Sequence, residues 1–180
     1  MRKIILLFLC LCLGCASAKA KERPQEGSLT SFKIFNENSL HKGGRLLIIP
    51  FRAGVNIEAN DELNRIALMI VKGMVEAIKK ENENRFEIIS VEQAQDAQFV
   101  IEGHVTRLSQ PSRISKMGLG DKKITLGIEG DMVDLETGEK ILIFKNLQER
   151  DQKGNSHQDM AYAMGRSIGQ AIATGINKID

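Results

Sequence analysis

The sequence predicts an α/β protein: a single domain with a mixed β-sheet, built as an N-terminal βαβ unit and then an antiparallel meander, packed by two principal helices. Three observations carry this. Leu46-Leu47-Ile48-Ile49-Pro50-Phe51 is an unbroken apolar run, as expected of a strand buried on both faces. From Leu63 to Ile78 apolar residues recur every three or four positions, the helical period. From Gln98 to Leu147 they mostly alternate, the strand period. A length of 180 residues suits one domain, and 42% hydrophobic with 27% charged residues is a globular balance. With seven Phe, one Tyr and no Trp, a surface that stacks bases or sugars on aromatic rings is not expected.

The elements follow in order. Leu29 to Phe35 is apolar enough for an edge strand or a short docked segment, and Gly43-Gly44 then breaks the chain. The domain proper is read as residues 45–180. Its first strand is Arg45 to Phe51, with Pro50 near the end because proline cannot donate to the ladder. Asn60 or Asp61 caps the long helix, and Asp61 and Glu62 suit its positive end. Leu63, Ile66, Ala67, Ile70, Val71, Met74, Ala77 and Ile78 form its apolar stripe, expected to cover a sheet. Phe86 to Ile89 returns as a strand parallel to the first, and Val91 to Ala97 is a short helix. In the meander, Phe99, Ile101, Gly103 and Val105 share a face, as do Ile124, Leu126, Ile128 and Met132. Glu136-Thr137-Gly138-Glu139 turns the chain into a strand from Lys140 to Leu147. His157 to Lys178 reads as the last helix. Its row Ala161, Gly165, Gly169, Ala173 is expected to let the helix lie close on the sheet, with a homodimer contact as the alternative. Glycine in a helix costs about 1 kcal/mol against alanine, so a close approach should offset it.

The N-terminus reads as an export address. Arg2 and Lys3 precede the apolar run Ile4 to Leu13, which is too short for an ordinary membrane-spanning helix. Two cleavages fit. A general signal peptidase would cut after Ala16-Ser17-Ala18; a lipoprotein signal peptidase would cut after Gly14 and leave Cys15 acylated. The segment resembles a bacterial lipoprotein signal, except that Cys12 stands where a Leu is usual. Cysteine usage favours the second cut. Cys10, Cys12 and Cys15 are the three cysteines of the chain, and the cut leaves Cys15 alone as the first residue. The domains are thus read as signal peptide 1–14, lipidated tether 15–44 and binding domain 45–180. Removing Arg2 and Lys3 also brings the 25 basic residues down to match the 23 acidic ones, so no long-range steering toward nucleic acid is expected.

Chemistry-bearing motifs are scarce. His41, His104 and His157 share no ligand spacing, so no metal is expected. Gly118-Leu119-Gly120 opens onto a strand rather than a helix, so no phosphate loop and no cofactor are expected. Glu129, Asp131, Asp134, Glu136 and Glu139 gather at the hairpin, where carboxylates ordinarily serve solubility and block edge pairing. Arg107, Arg113, Lys116, Lys122 and Lys123 flank a single acid, Asp121. The plain reading is a solvated loop balanced by the acidic hairpin; the functional one is a contact surface for lipid headgroups, an anionic polymer or an acidic partner.

Several segments resemble a group of envelope domains: the TolB amino-terminal-like, CsgG-like and LpoB-like domains. Arg45 to Phe51 (RLLIIPF) resembles the group's first strand, Phe86 to Ser90 (FEIIS) its second, Ala97 to Val105 (AQFVIEGHV) the next, and Val133 to Lys140 (VDLETGEK) its hairpin. The resemblance covers about residues 45–178. It implies a non-enzymatic periplasmic domain, often on a lipoprotein, that binds other envelope proteins; no catalytic residues carry over. A secretion-channel role is not implied, because no extra strand pairs for membrane hairpins are present. The expected function is a cell-envelope lipoprotein acting as a protein-binding or assembly module, anchored through Cys15, outer-membrane rather than inner because Ala16 and Ser17 replace a retention Asp, with an envelope protein partner and homo-oligomerisation open to it. A soluble small-ligand carrier and an accessory hydrolase are the alternatives. Labelled palmitate should enter the wild-type chain and not Cys15→Ala; an unlabelled wild type would overturn the anchor.

Overall fold

The computed structural model describes residues 29–81, 85–109, 123–151 and 156–175. The Cys15 region, and Arg113, Lys116 and Lys122 of the basic stretch, lie outside them. The chain runs β1 (Ser31–Ile34), α1 (Glu37–Lys42), β2 (Gly44–Ile48), β3 (Arg52–Ala53), α2 (Asp61–Glu81), β4 (Phe86–Ile89), a 3₁₀ turn (Val91–Asp96), β5 (Phe99–Ser109), β6 (Lys123–Asp134), β7 (Lys140–Asp151) and α3 (His157–Thr174). One mixed seven-stranded sheet holds them in the order β1-β7-β6-β5-β2-β4, with β3 pairing β5.

Leu46, Leu47 and Ile48 are all buried because β2 lies between β4 and β5, parallel to both. This is the expected βαβ unit. The apolar run is nevertheless shorter as a strand than its composition suggests: β2 stops at Ile48, and the ladder to β5 resumes at Arg52. Pro50 sits at the break, where its missing N–H costs no ladder bond. β5, β6 and β7 form the antiparallel meander, with Ile101 opposite Met132 and Met132 opposite Leu142. β7 runs on to Asp151, past the Leu147 end expected from its apolar residues.

Ahead of Arg45, residues 31–42 belong to the packed body. β1 pairs antiparallel with β7, and its Phe32 is buried. Asn36 caps α1 by accepting from the Ser39 N–H at 3.1 Å. At Gly43, φ is +65° and a Cβ would stand 2.0 Å from the Arg85 carbonyl oxygen. Only glycine turns the chain there from α1 into β2.

Two glycines make room for aromatic rings inside the sheet. Gly103 and Gly130 are direct partners on β5 and β6. A Cβ on Gly103 would fall 2.5 Å from the Phe51 ring, and one on Gly130 would fall 2.6 Å from the Phe144 ring. The two rings pack over these gaps with centroids 6.0 Å apart. They join Leu126, Ile128, Met132 and Leu142 in the core.

The helices are capped as their sequences imply. Asn60 Oδ1 accepts from the Leu63 N–H at 2.9 Å, which makes Asn60 the cap of α2. Ser156 and Asp159 form a reciprocal capping box on α3. At the other end Gly175 takes a left-handed conformation, φ +63°, and α3 stops at Thr174; residues 176–178 of the expected helix lie outside the described residues. A left-handed residue terminates the helix by turning its N–H back onto an earlier carbonyl, here Ala171.

The small-residue row of α3 packs on α2, not on the sheet as expected. A Cβ on Gly165 would lie 2.1 Å from the Ile70 carbonyl oxygen, and one on Gly169 would lie 2.6 Å from that of Met74. Gly73 of α2 answers in kind: its Cβ would meet the Tyr162 carbonyl oxygen at 2.3 Å. Glu62 touches His157 at one end and Met74 lies against Gly169 at the other, so the two helices run parallel. Leu63, Ile66, Ile70 and Met74 on α2 and Met160, Met164 and Ile168 on α3 then face one common core.

Gly165→Ala should gain about 1 kcal/mol of helix propensity and lose more to overpacking, about 1–3 kcal/mol, because backbone blocks the new methyl. A thermal melt should show a lowered Tm; an unchanged or raised Tm would show that the helices separate at no cost.

Candidate interaction surface

Both helices lie on one side of the sheet, so β5, β6 and β7 show their other side to solvent. This is how an antiparallel sheet alternates apolar-in and polar-out. Along β5 the outward residues include Glu102 and His104, along β6 Glu129 and Asp131, and along β7 Lys145. Strand register brings them together: Glu102 stands opposite Asp131, and His104 opposite Glu129. Ser31 and Ile143 complete the rim of an open depression of about 400 Å³.

The acids here have local partners. Asp131 Oδ2 lies 2.6 Å from Lys140 Nζ, and Glu129 Oε2 lies 3.4 Å from Lys145 Nζ. The hydrogen bond to Asp131 holds the Lys140 ammonium above its ordinary pKa. Asp134 serves the turn, with Oδ1 accepting from the N–H groups of Glu136 and Thr137 at 2.9 and 3.1 Å. Glu136 and Glu139 are exposed in the same turn. Among the described residues, no group of three or more His, Asp or Glu side chains is placed to hold a metal ion.

The predicted basic cluster is represented by its two ends. Arg107 is exposed near the end of β5, and Lys123, at the start of β6, pairs with Glu149 at 2.8 Å. His104 is exposed, as expected for the polar side of a strand. His41 is also exposed, with Nδ1 3.5 Å from Arg85 Nη1. Arg85 also donates through Nη2 to the Ala173 carbonyl, a cation placed at the negative end of α3.

A second polar group lies where the exposed sides of α2 and α3 meet. Tyr162 donates to Glu76 Oε2 at 2.5 Å, and Lys72 stands 4.0 Å from Glu76 Oε1. The bond to Glu76 holds the Tyr162 hydroxyl above its usual pKa.

Three features escape a reading of the sequence. His157 is buried between α2 and β5, although nothing marks it beyond its place one residue after the Ser156 cap. Asn146 and Gln148 lie on the helix side of β7, 0% and 9% exposed, and all four of their amide atoms are without a hydrogen-bond partner among the described residues. The signal for them is phase: they continue the alternation of Leu142 and Phe144, but the polar Gln148 makes the strand look finished at Leu147.

No family model matches the chain, and no curated protein matches it. Solved structures do. PelC from Paraburkholderia phytofirmans, solved as a dodecamer, superposes with a TM-score of 0.56 at 10% identity, over 79% of this chain and 96% of that one. The hypothetical protein CT253 from Chlamydia trachomatis (TM-score 0.48, 9% identity, 73% and 99% of the two chains) and lipoprotein GNA1162 from Neisseria meningitidis (0.45, 11%, 73% and 99%) match less well. The chain therefore has the fold of PelC: a mixed sheet with its helices on one side.

Gln148→Met keeps the side chain's shape and removes two buried polar atoms that have no partner among the described residues. An unpaired buried group costs about 1–3 kcal/mol, so calorimetry should show a raised Tm; a lowered one would show that the amide has a partner in the folded chain.

Proposed function

We propose that this chain is a bacterial cell-envelope lipoprotein, anchored through Cys15 and facing the periplasm, that acts as a non-enzymatic binding and assembly module and does so as a homo-oligomer. The observation that carries the reading is the fold shared with PelC, a protein solved as a dodecamer. The lipoprotein-like signal and the resemblance to TolB amino-terminal-like, CsgG-like and LpoB-like domains support the envelope setting. Ala16 and Ser17 after the acylated cysteine favour the outer membrane. Two or more acyl chains on Cys15 would hold the protein firmly, at about 0.8 kcal/mol per buried CH₂. The described residues contain no helix long and apolar enough to cross a membrane.

The layer arrangement supports assembly. Closed rings join copies head to tail, through two different patches on each copy. Here the helix layer is committed to the core, while the open face and two four-residue edge strands, β1 and β4, are left for contact. On the open face Glu102, Glu129 and Asp131 lie beside Lys140 and Lys145, so acidic and basic groups are both at hand. The basic stretch from Arg107 to Lys123 would add contact to an acidic partner or surface.

Crosslinking in intact cells, followed by native mass measurement of the acylated protein in mild detergent, tests this. Discrete multiples of the chain mass are expected. A single-chain species alone, in cells and in detergent, would overturn the homo-oligomer.

A further inference from the structure

His157 opens α3, yet its ring is only 7% exposed. Nδ1 lies 2.9 Å from Glu62 Oε1 in the first turn of α2. Nε2 lies 2.9 Å from the carbonyl oxygen of Ser109, the last residue of β5. A carboxylate and a carbonyl only accept. A neutral imidazole carries one N–H and one lone pair, so it satisfies one of these oxygens and turns a lone pair toward the other. An imidazolium donates to both.

We propose that His157 is a proton-operated latch between the helix layer and the sheet. With both ring nitrogens protonated, it ties the first turns of α2 and α3 to the end of β5. Loss of one proton opens the Glu62 arm. The Ser109 carbonyl is held by the backbone, whereas the Glu62 side chain is 35% exposed and can turn to water.

His157 opens α3 and Glu62 lies in the first turn of α2, where the positive helix ends oppose a further positive charge and the Glu62 carboxylate favours one. Among the described residues, other charged groups at this end of the fold are Asp61 on α2, Arg107 on β5, Lys123 on β6, Glu149, Arg150 and Asp151 on β7 and Asp159 on α3. Asp159 is held by the Ser156 hydroxyl at 2.6 Å, and Lys123 by Glu149 at 2.8 Å. Ser109 is also the last described residue before the basic stretch that contains Arg113 and Lys116. The latch thus sits at the root of the segment with the strongest charge bias in the body.

Glu62→Gln supplies the test. Its amide donates to Nδ1 of a neutral ring or, flipped, accepts from a protonated one, so both bonds are completed in either state and the pH dependence is lost. The purified full-length protein and this variant are melted across pH ~5 to ~9, the range in which histidine ordinarily changes charge. The wild type should lose Tm relative to Glu62→Gln as pH rises, by roughly 3–10 °C over the range, the equivalent of one charge-assisted hydrogen bond in a chain this size. In ring-nitrogen NMR of the wild type, His157 should carry two N–H protons at the acid end and one at the alkaline end. That measurement decides the matter alone if the variant fails to fold. A Tm difference that does not change with pH, or a ring with the same number of protons throughout, would overturn the proposal.

Discussion

The backbone-to-backbone approach of α2 and α3 is the constraint on which the rest of this structure depends. Gly165 and Gly169 on one helix and Gly73 on the other leave no space for a methyl group. With side chains at these positions the two axes would stand further apart, and one sheet face could not be covered by both helices at once. Small residues therefore accept a loss in helix propensity in exchange for a shared core. In a membrane the same spacing would join two chains; here it joins two helices of one chain.

The sheet follows the same economy of space. Gly103 and Gly130 give up side chains so that Phe51 and Phe144 can lie against the strands. One side of the sheet is thus filled by helices and rings, and the other is left to Glu102, His104, Glu129, Asp131 and lysines from β7. That division gives the domain a buried side and an open polar side, and the assembly proposal starts from the open one. Polar joints link the layers at two places: His157 at the start of the helix pair and Arg85 at the end of α3.

Much of this was legible from residues alone. The βαβ unit showed in the change of period between Leu46–Phe51 and Leu63–Ile78, because burial on two sides and burial on one leave different apolar patterns. The hairpin showed in Glu136-Thr137-Gly138-Glu139, whose turn preferences are local. The polar side of the meander was readable too, since alternation assigns Glu129 and Asp131 to the side opposite Ile128 and Met132. Less legible was the end of β7, where Gln148 and the charged residues after it interrupt the apolar pattern.

Periodicity, turn residues and caps act within a few positions of one another, so the sequence by itself determined the kind and order of the elements and which side of each is apolar. What packs against what was decided by tertiary structure. A row of small residues states that something comes close; it does not say whether that is a sheet, another chain or, as here, Ile70 and Met74 of α2. Likewise His157 and Glu62 stand 95 positions apart. Only folding brings their atoms to bonding distance, because long-range contacts depend on the geometry of the whole chain rather than on neighbouring residues.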